Sequence, residues 1–404
     1  MHPAHSIPAS SSAAATQPTD SSQLKFRLPQ VGTTIFTRMS QLAAQHHAVN
    51  LGQGFPDFDC DSKLLDAVSH AMRSGMNQYP PMAGVAALRA AIATKIARLY
   101  QHDYAAETEI TVTAGATQAI LTVILCCVQP GDEVLVIEPA YDSYLPAIEL
   151  AGGTAVRVPM QFGRDGYTLP WPRIAAAVSR NTRLIILNSP HNPTGIVLGA
   201  ADLVALRDIV RNTSILILSD EVYEHMVYDG AAHQSLSREP ELAARTFVVS
   251  SFGKTYHVTG WKVGYVAAPA ALTHEFRKVH QFNVFSVNTP MQAGLAAYMG
   301  NPAPYLDLPA FYQRKRDLFR AGLQHTRLRP LPVAGTYFQC VDYSSVSALP
   351  EAEFAAWLTT EIGVAAIPVS AFYRQATESG IVRFCFAKQD QTLELALQKL
   401  ARLG

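Results

Sequence analysis

Between Glu109 and Ala268, short apolar runs of strand length recur, separated by stretches with helical spacing. Ile110-Thr111-Val112 precedes a helix expected from Thr117, and Glu133 to Ile137 precedes one near Tyr144 to Leu150. Thr154 to Val158, Leu184 to Leu187, Ile215 to Leu218, Phe247 to Ser250 and Val263 to Ala267 continue the series. This alternation predicts an α/β domain around a mainly parallel sheet, with ligands bound beyond the carboxyl ends of the strands. Upstream, Ile35, Phe36, Met39 and Leu42 give Thr34 to Ala44 one apolar helical face. Leu51 to Asp57 holds two glycines and a proline and reads as a turn. A second turn, Tyr79-Pro80-Pro81 with Gly84, leads into an alanine-rich helix with Leu88, Ile92 and Ile96 on one face. From about Thr289 the pattern changes. Helices are expected over Phe311 to Leu323, from Pro350 onward, and over Thr392 to Leu403 with Asp390 as cap, with strands at Thr336 to Val341 and Val382 to Phe386. These make a second, smaller α+β domain.

Composition narrows the class. A length of 404 residues suits two domains, and 49% hydrophobic with 16% charged residues at zero net charge is a soluble globular balance. No basic excess points to nucleic acid. The longest apolar stretch, Ile120 to Val128, ends at Gln129-Pro130-Gly131 and is too short to span a bilayer. Five cysteines, Cys60, Cys126, Cys127, Cys340 and Cys385, are odd in number and lack C-x-x-C spacing, which predicts reduced thiols and a cytoplasmic protein. Met1 to Ser22 is rich in Ser, Ala, Pro and Thr without an apolar core, so it reads as a disordered tail carrying a solvated His2 and His5 rather than a signal peptide. The expected organisation is a tail over 1–23, a segment over 24–50 joining the small domain, a large domain over 51–290 and the small domain over 291–404.

Four polar positions stand out against this apolar background. Lys254 falls between two strands, with Ser251 three residues before it, Lys262 eight after it and Gly253 freeing the main chain. Its amine is either solvated or turned inward, and the neighbouring hydroxyl and cation suit a phosphate held beside an amine. Thr113 to Thr117 opens a helix on small residues, where free N–H groups also suit an anion. Asp220 ends the fully apolar strand Ile215 to Leu218, a costly place for an acid unless a cation pairs with it. Arg383 sits mid-strand among Val382, Phe384 and Phe386 and requires an anion, either a structural carboxylate or that of a substrate. The acid-rich run Asp220-Glu221-Val222-Tyr223-Glu224-His225 lacks a metal-ligand spacing, and no metal is expected.

The segment S-F-G-K-T-Y-H-V-T-G-W-K-V-G-Y resembles the Schiff-base segment of the class I/II pyridoxal-phosphate aminotransferases. L-G-Q-G-F-P-D-F, N-Q-Y-P-P-M-A-G, T-A-G-A-T-Q-A, P-H-N-P-T-G, S-D-E-V-Y-E-H and V-R-F-C-F-A extend the likeness from Leu24 onward, nearest to bacterial methionine aminotransferases and to kynurenine/glutamine transaminases. The resemblance implies fold type I, with a mainly parallel seven-stranded sheet in the large domain, and pyridoxal 5'-phosphate on Lys254. It implies a phosphate site from the amides of Ala116 and Thr117, Ser251 and Lys262, the last standing where many relatives have arginine. Tyr141 would stack on the pyridine ring and Asp220 would pair with its nitrogen. Asn192 and Tyr223 would donate to its phenolic oxygen. Gly54, Asn192 and Arg383 would hold the substrate carboxylate. The resemblance also implies a homodimer with shared sites, in which Tyr79 reaches the partner's cofactor phosphate and the aromatic at Phe285 enters the partner's site.

The implied reaction moves an amino group from an amino acid to a 2-oxo acid, with Lys254, Asp220 and Tyr223 as the catalytic set. A C–S β-lyase on the same scaffold and a non-enzymatic regulator are the rivals. The second needs a DNA-binding module that the short tail cannot form. Phe55, Tyr79 and Phe285 would rim an apolar pocket that favours methionine, aromatic, leucine or kynurenine-like donors over aspartate, unless Arg277 or Lys278 turns inward to supply a second cation.

Overall fold

The computed structural model describes residues 26–163, 166–375 and 377–404. The expected tail, with His2 and His5, lies outside the described residues. Seven strands form the main sheet: β1 (Ile110–Thr113), β2 (Glu133–Glu138), β3 (Thr154–Pro159), β4 (Thr182–Asn188), β5 (Leu216–Asp220), β6 (Thr246–Ser251) and β7 (Gly264–Ala267). Their order is β1-β7-β6-β5-β4-β2-β3. All neighbours are parallel except β7, which runs antiparallel to both β1 and β6. The mainly parallel seven-stranded α/β fold is thus present, and each strand lies within two residues of its expected place.

The apolar runs are continuous because both faces of this sheet are covered. Val134 and Val136 of β2 join one core and Leu135 and Ile137 the other; Leu184 and Ile186 of β4 are likewise opposed to Ile185 and Leu187. Each such side chain taken out of water contributes about 1.5–3 kcal/mol, so the register of the sheet is fixed from both sides.

Helices α1 (Ile35–Gln45), α2 (Ser62–Arg73), α3 (Ala86–Tyr100), α4 (Ala116–Cys127) and α5 (Tyr144–Ala151) precede the middle of the sheet in sequence. In the later chain lie α6 (Ala270–Asn283), α7 (Thr289–Tyr298), α8 (Leu308–Leu323), α9 (Glu351–Trp357) and α10 (Asp390–Leu400). Helix α7, which begins at the expected domain boundary, packs on α2 and α3. Strands β8 (Phe338–Asp342) and β9 (Ile381–Cys385) are the centre of a four-stranded antiparallel sheet. The N-terminal segment joins this part of the molecule: Val49 pairs with Val364, and Cys385 N donates to Leu51 O at 2.7 Å.

One helix start differs from the sequence expectation. Helix α10 begins at Asp390, preceded by Gln389, so Asp390 is its first residue rather than its cap. Arg314 and Lys315 of α8 take the Asp390 carboxylate at 2.6 and 2.9 Å. Asp57 caps the helix from across the chain instead, accepting from Gln389 N at 2.6 Å and Thr392 Oγ1 at 2.7 Å. Among the described residues no helix is long and apolar enough to cross a membrane.

Candidate active site

A cavity of about 340 Å³ opens at the carboxyl ends of the parallel strands. Strand register explains why its polar groups converge. Asn188 is paired with Asp220, Asp220 with Val249, and Gly264 with both Ser251 and Thr113. Because β7 is antiparallel, its first residues lie beside the last residues of β1 and β6, which carries Lys262 to the same edge. Gly264 has to be glycine: a Cβ there would meet Ser250 O at 2.6 Å and Ala116 N at 3.2 Å.

Asp220 forms the floor. It is buried and accepts from Tyr144 Oη at 2.6 Å and Val222 N at 3.4 Å. Burial raises its pKa to about 6, while Tyr144, the Val222 amide and Lys254 pull the other way. No protein cation forms an ion pair with it among the described residues, so a cation from outside the chain would be welcome there. Glu221 and Glu224 turn elsewhere. Glu221 accepts from Ser219 Oγ, and Glu224 meets Lys95 Nζ at 2.6 Å, in a buried polar network.

Lys254 stands on a single helical turn, Phe252–Thr255, between β6 and β7. Its Nζ donates to Tyr337 Oη at 2.8 Å and Gly54 O at 3.2 Å. Burial lowers its pKa to about 8; Arg383 and Lys262 act in the same sense, and Cys385 and Asp220 oppose them. Tyr223, one turn beyond Asp220, holds its ring 5.7 Å from Lys254 Nζ, and burial pushes its phenol pKa up.

Beside this centre is a cup for an anion. Gly115, at φ 80°, bends the chain into α4, so that the Ala116 and Thr117 amides begin the helix. A Cβ on Gly115 would lie 3.4 Å from Lys262 Nζ, which places that ammonium over the helix start. Lys262 has no ion-pair partner among the described residues, and Ser251 lines the same wall. Tyr141 Oη lies 3.3 Å from Thr117 Oγ1.

On the opposite wall Arg383 is held by aromatic faces rather than by an acid. Its guanidinium lies 3.8 Å from the Phe338 ring centre and 5.0 Å from that of Phe372. Nη1 donates to Asn192 Oδ1 at 2.6 Å and Nη2 to Gly52 O at 3.2 Å, while the buried Nε has no partner. No carboxylate pairs with it among the described residues. A buried guanidinium in this state is costly and calls for an anion. Asn188 anchors the Asn192 loop, donating to Asp220 O at 2.8 Å and accepting from Asn192 N at 2.8 Å.

Gly54 and Phe55 complete the rim, and a Cβ on Gly54 would strike Phe338 Cζ at 2.9 Å. Tyr79 and Phe285 are not brought into this cavity. They meet edge to face at 5.2 Å on the surface, 81% and 46% exposed. Arg277 is tied to Thr111 Oγ1 and Ile110 O, and Lys278 to Glu275, so neither turns inward. Tyr144, Asn188 and Tyr337 were not singled out from the sequence, nor was Asp142, a second acid on the cavity wall whose pKa burial raises against the pull of Arg383.

Residues 46–400 match the family described as aminotransferase class I and II. The chain is 50% identical over 378 residues to a methionine aminotransferase of Escherichia coli (strain K12), covering 93% of this chain and 97% of that protein. It is 35% identical over 410 residues to a kynurenine–oxoglutarate transaminase of Dictyostelium discoideum, covering 92% and 94%. The three-dimensional structure of N-succinyldiaminopimelate aminotransferase from Mycobacterium tuberculosis superposes with a TM-score of 0.91 at 42% identity, covering 94% of this chain and 100% of that one.

Proposed function

From the premise that the chain belongs to the class I and II aminotransferases, we propose that it transfers the amino group of a neutral, bulky amino acid, methionine foremost, to a 2-oxo acid. Class I and II aminotransferases generally use pyridoxal phosphate, and the cavity residues fit that group. The buried Asp220, without an ion-paired cation among the described residues, suits a protonated ring nitrogen, and the α4 amides, Ser251 and Lys262, which is likewise unpaired among them, suit its phosphate. When bound, the cofactor supplies an electron sink for the carbanion formed at the donor's Cα.

In this reading the chain's own groups do the rest. Lys254 anchors the cofactor and, once its amine is free, carries the proton to and from Cα; its lowered pKa supports this, since an ammonium could not accept one. Asp220 keeps the ring nitrogen protonated. Tyr223 and Asn192 would serve the phenolic oxygen, Tyr141 would pack on the ring, and Gly54, Asn192 and Arg383 would hold the substrate carboxylate. In the division expected from the sequence, the large domain over 51–290 would supply Lys254 and the small domain over 291–404 would supply Arg383. A homodimer in which Tyr79 and Phe285 complete the partner's site, and a cytoplasmic location suggested by the cysteine pattern, belong to the same reading.

One observation carries the choice of donor. Arg383 accounts for the α-carboxylate and Lys262 faces the anion cup; the rest of the wall includes Phe36, Gln53, Phe55, Phe338 and the acid Asp142 but, apart from Lys254, no further cation among the described residues, with Arg277 and Lys278 engaged elsewhere. A thioether gains by burial among such rings, roughly 0.3–1.5 kcal/mol from sulfur–aromatic contact alone. A distal carboxylate would be desolvated without a partner, at a cost of several kcal/mol. Single-turnover rates should therefore favour methionine over aspartate by about a hundredfold or more in kcat/KM. Equal rates, or aspartate ahead, would refute the reading of the donor pocket.

A further inference from the structure

The least expected group beside Lys254 is a tyrosine that immediately precedes β8 of the small sheet. We infer that Tyr337 is a positioning residue that holds the free amine of Lys254 and fixes the direction of its lone pair for proton transfer; this rests on the aminotransferase reading above.

The hydrogen bonds run in one direction. Tyr337 Oη donates its single proton to Gly54 O. That leaves the oxygen only as an acceptor, and Lys254 Nζ donates to it at 2.8 Å. Gly54 O accepts from Lys254 Nζ as well, at 3.2 Å. A neutral amine has two protons and one lone pair. With both protons engaged by Tyr337 and Gly54, the fourth tetrahedral position of the nitrogen, the lone pair, is no longer free to rotate. General-base catalysis needs this restriction, because proton transfer depends on the direction of approach as well as on pKa.

The ring is built to stay in place. Tyr337 is fully buried and meets Phe338 at 4.8 Å, Tyr223 at 5.2 Å and Tyr312 at 5.7 Å between ring centres. Its main chain is pinned by Phe386 N donating to Tyr337 O at 2.9 Å. Burial raises its phenol pKa well above the ordinary value, so the hydroxyl remains neutral and acts as a fixed dipole rather than as an acid. Tyr337 follows Thr336, which adopts φ 66°, at the start of β8. The segment entering β8, which lends Phe338 to Arg383, therefore also lends the Tyr337 hydroxyl to Lys254. One element thus registers the carboxylate grip against the proton-transfer base.

Tyr337→Phe retains the ring contacts and removes only the oxygen. In cofactor-free protein, the pH at which Lys254 is half-modified by limiting acetic anhydride, read by peptide mass spectrometry, should fall by about one unit, because the ammonium loses an acceptor. In the loaded enzyme the single-turnover rate with methionine should drop about tenfold or more at nearly unchanged KM, and the isotope effect from α-deuterated methionine should grow. An unchanged midpoint for Lys254 in the variant, or an unchanged isotope effect with only a lower melting temperature, would overturn the inference. The first measurement involves no substrate. It therefore stands even if methionine proves the wrong donor, which separates failure of this inference from failure of the donor reading.

Discussion

Burial pushes the two central ionisable groups of the cavity toward neutrality: Asp220 rises to a pKa of about 6 and Lys254 falls to about 8. For Asp220 the linkage has a definite sign. Between its ordinary pKa of 3.8 and the raised value, the folded chain holds a proton that the unfolded chain has released. Stability contributed by this group is therefore present below about pH 3.8 and is lost as pH rises through about 6. A shift of roughly two units corresponds to about 3 kcal/mol at neutral pH. Asp220→Asn should thus make the cofactor-free protein more stable by up to that amount at pH 7, with the gain fading toward pH 4, while turnover collapses. Urea unfolding of both proteins across this range provides the measurement, and a gain that does not vary with pH would contradict it. The same unfavourable burial made Asp220 and Arg383 legible in the sequence, since a charge inside an apolar run demands a partner, whereas Lys254 stood out through its neighbours Ser251 and Lys262 and through the family resemblance. Tyr144, Asn188 and Tyr337 carried no such signal. A tyrosine or asparagine among apolar residues reads as core or turn, and only its position in space turns it toward Asp220, Asn192 or Lys254.

At the scale of elements, the apolar runs located the seven strands because both faces of the sheet are buried, but they did not single out the strand that runs backwards. Period and composition are the same for β7 in either direction. Its consequence is large: antiparallel pairing brings Lys262 and Gly264 to the edge where the parallel strands deliver Asn188, Asp220 and Ser251. The misplaced cap at Asp390 has a similar origin, because a local cap rule does not see Arg314, Lys315 or Asp57 arriving from distant segments. Gly264→Ala tests the role of β7. The added methyl would lie 2.6 Å from Ser250 O and 3.2 Å from Ala116 N, main-chain atoms that cannot yield without moving the anion cup. We expect pyridoxal phosphate to bind at least about tenfold more weakly, with roughly 1–3 kcal/mol of stability lost to overpacking. Fluorescence titration of the cofactor-free variant reads the first quantity. Wild-type affinity would mean that the cup does not depend on close approach at Gly264.

For the whole molecule, the question is what covers Tyr79 and Phe285. The two rings meet at 5.2 Å on the surface, and Phe282 nearby is 90% exposed. Exposed rings grouped in this way are uncommon on a surface that faces only water and are characteristic of a contact site. In the proposed dimer this patch meets a second copy, and Tyr79 completes the partner's anion cup. The sharing has a consequence that no single-chain arrangement reproduces. Lys254→Ala chains retain a good Tyr79, and Tyr79→Ala chains retain a good Lys254. In a mixed dimer one site then combines both defects, and the other combines the intact Lys254 with the intact Tyr79. Random exchange of equal amounts should restore about a quarter of wild-type turnover from two weakly active or inactive parents. If Tyr79 served its own chain, every site would carry one defect and mixing would restore nothing. Activity measured before and after subunit exchange, with the mixed dimer isolated by two different affinity tags, separates the two arrangements.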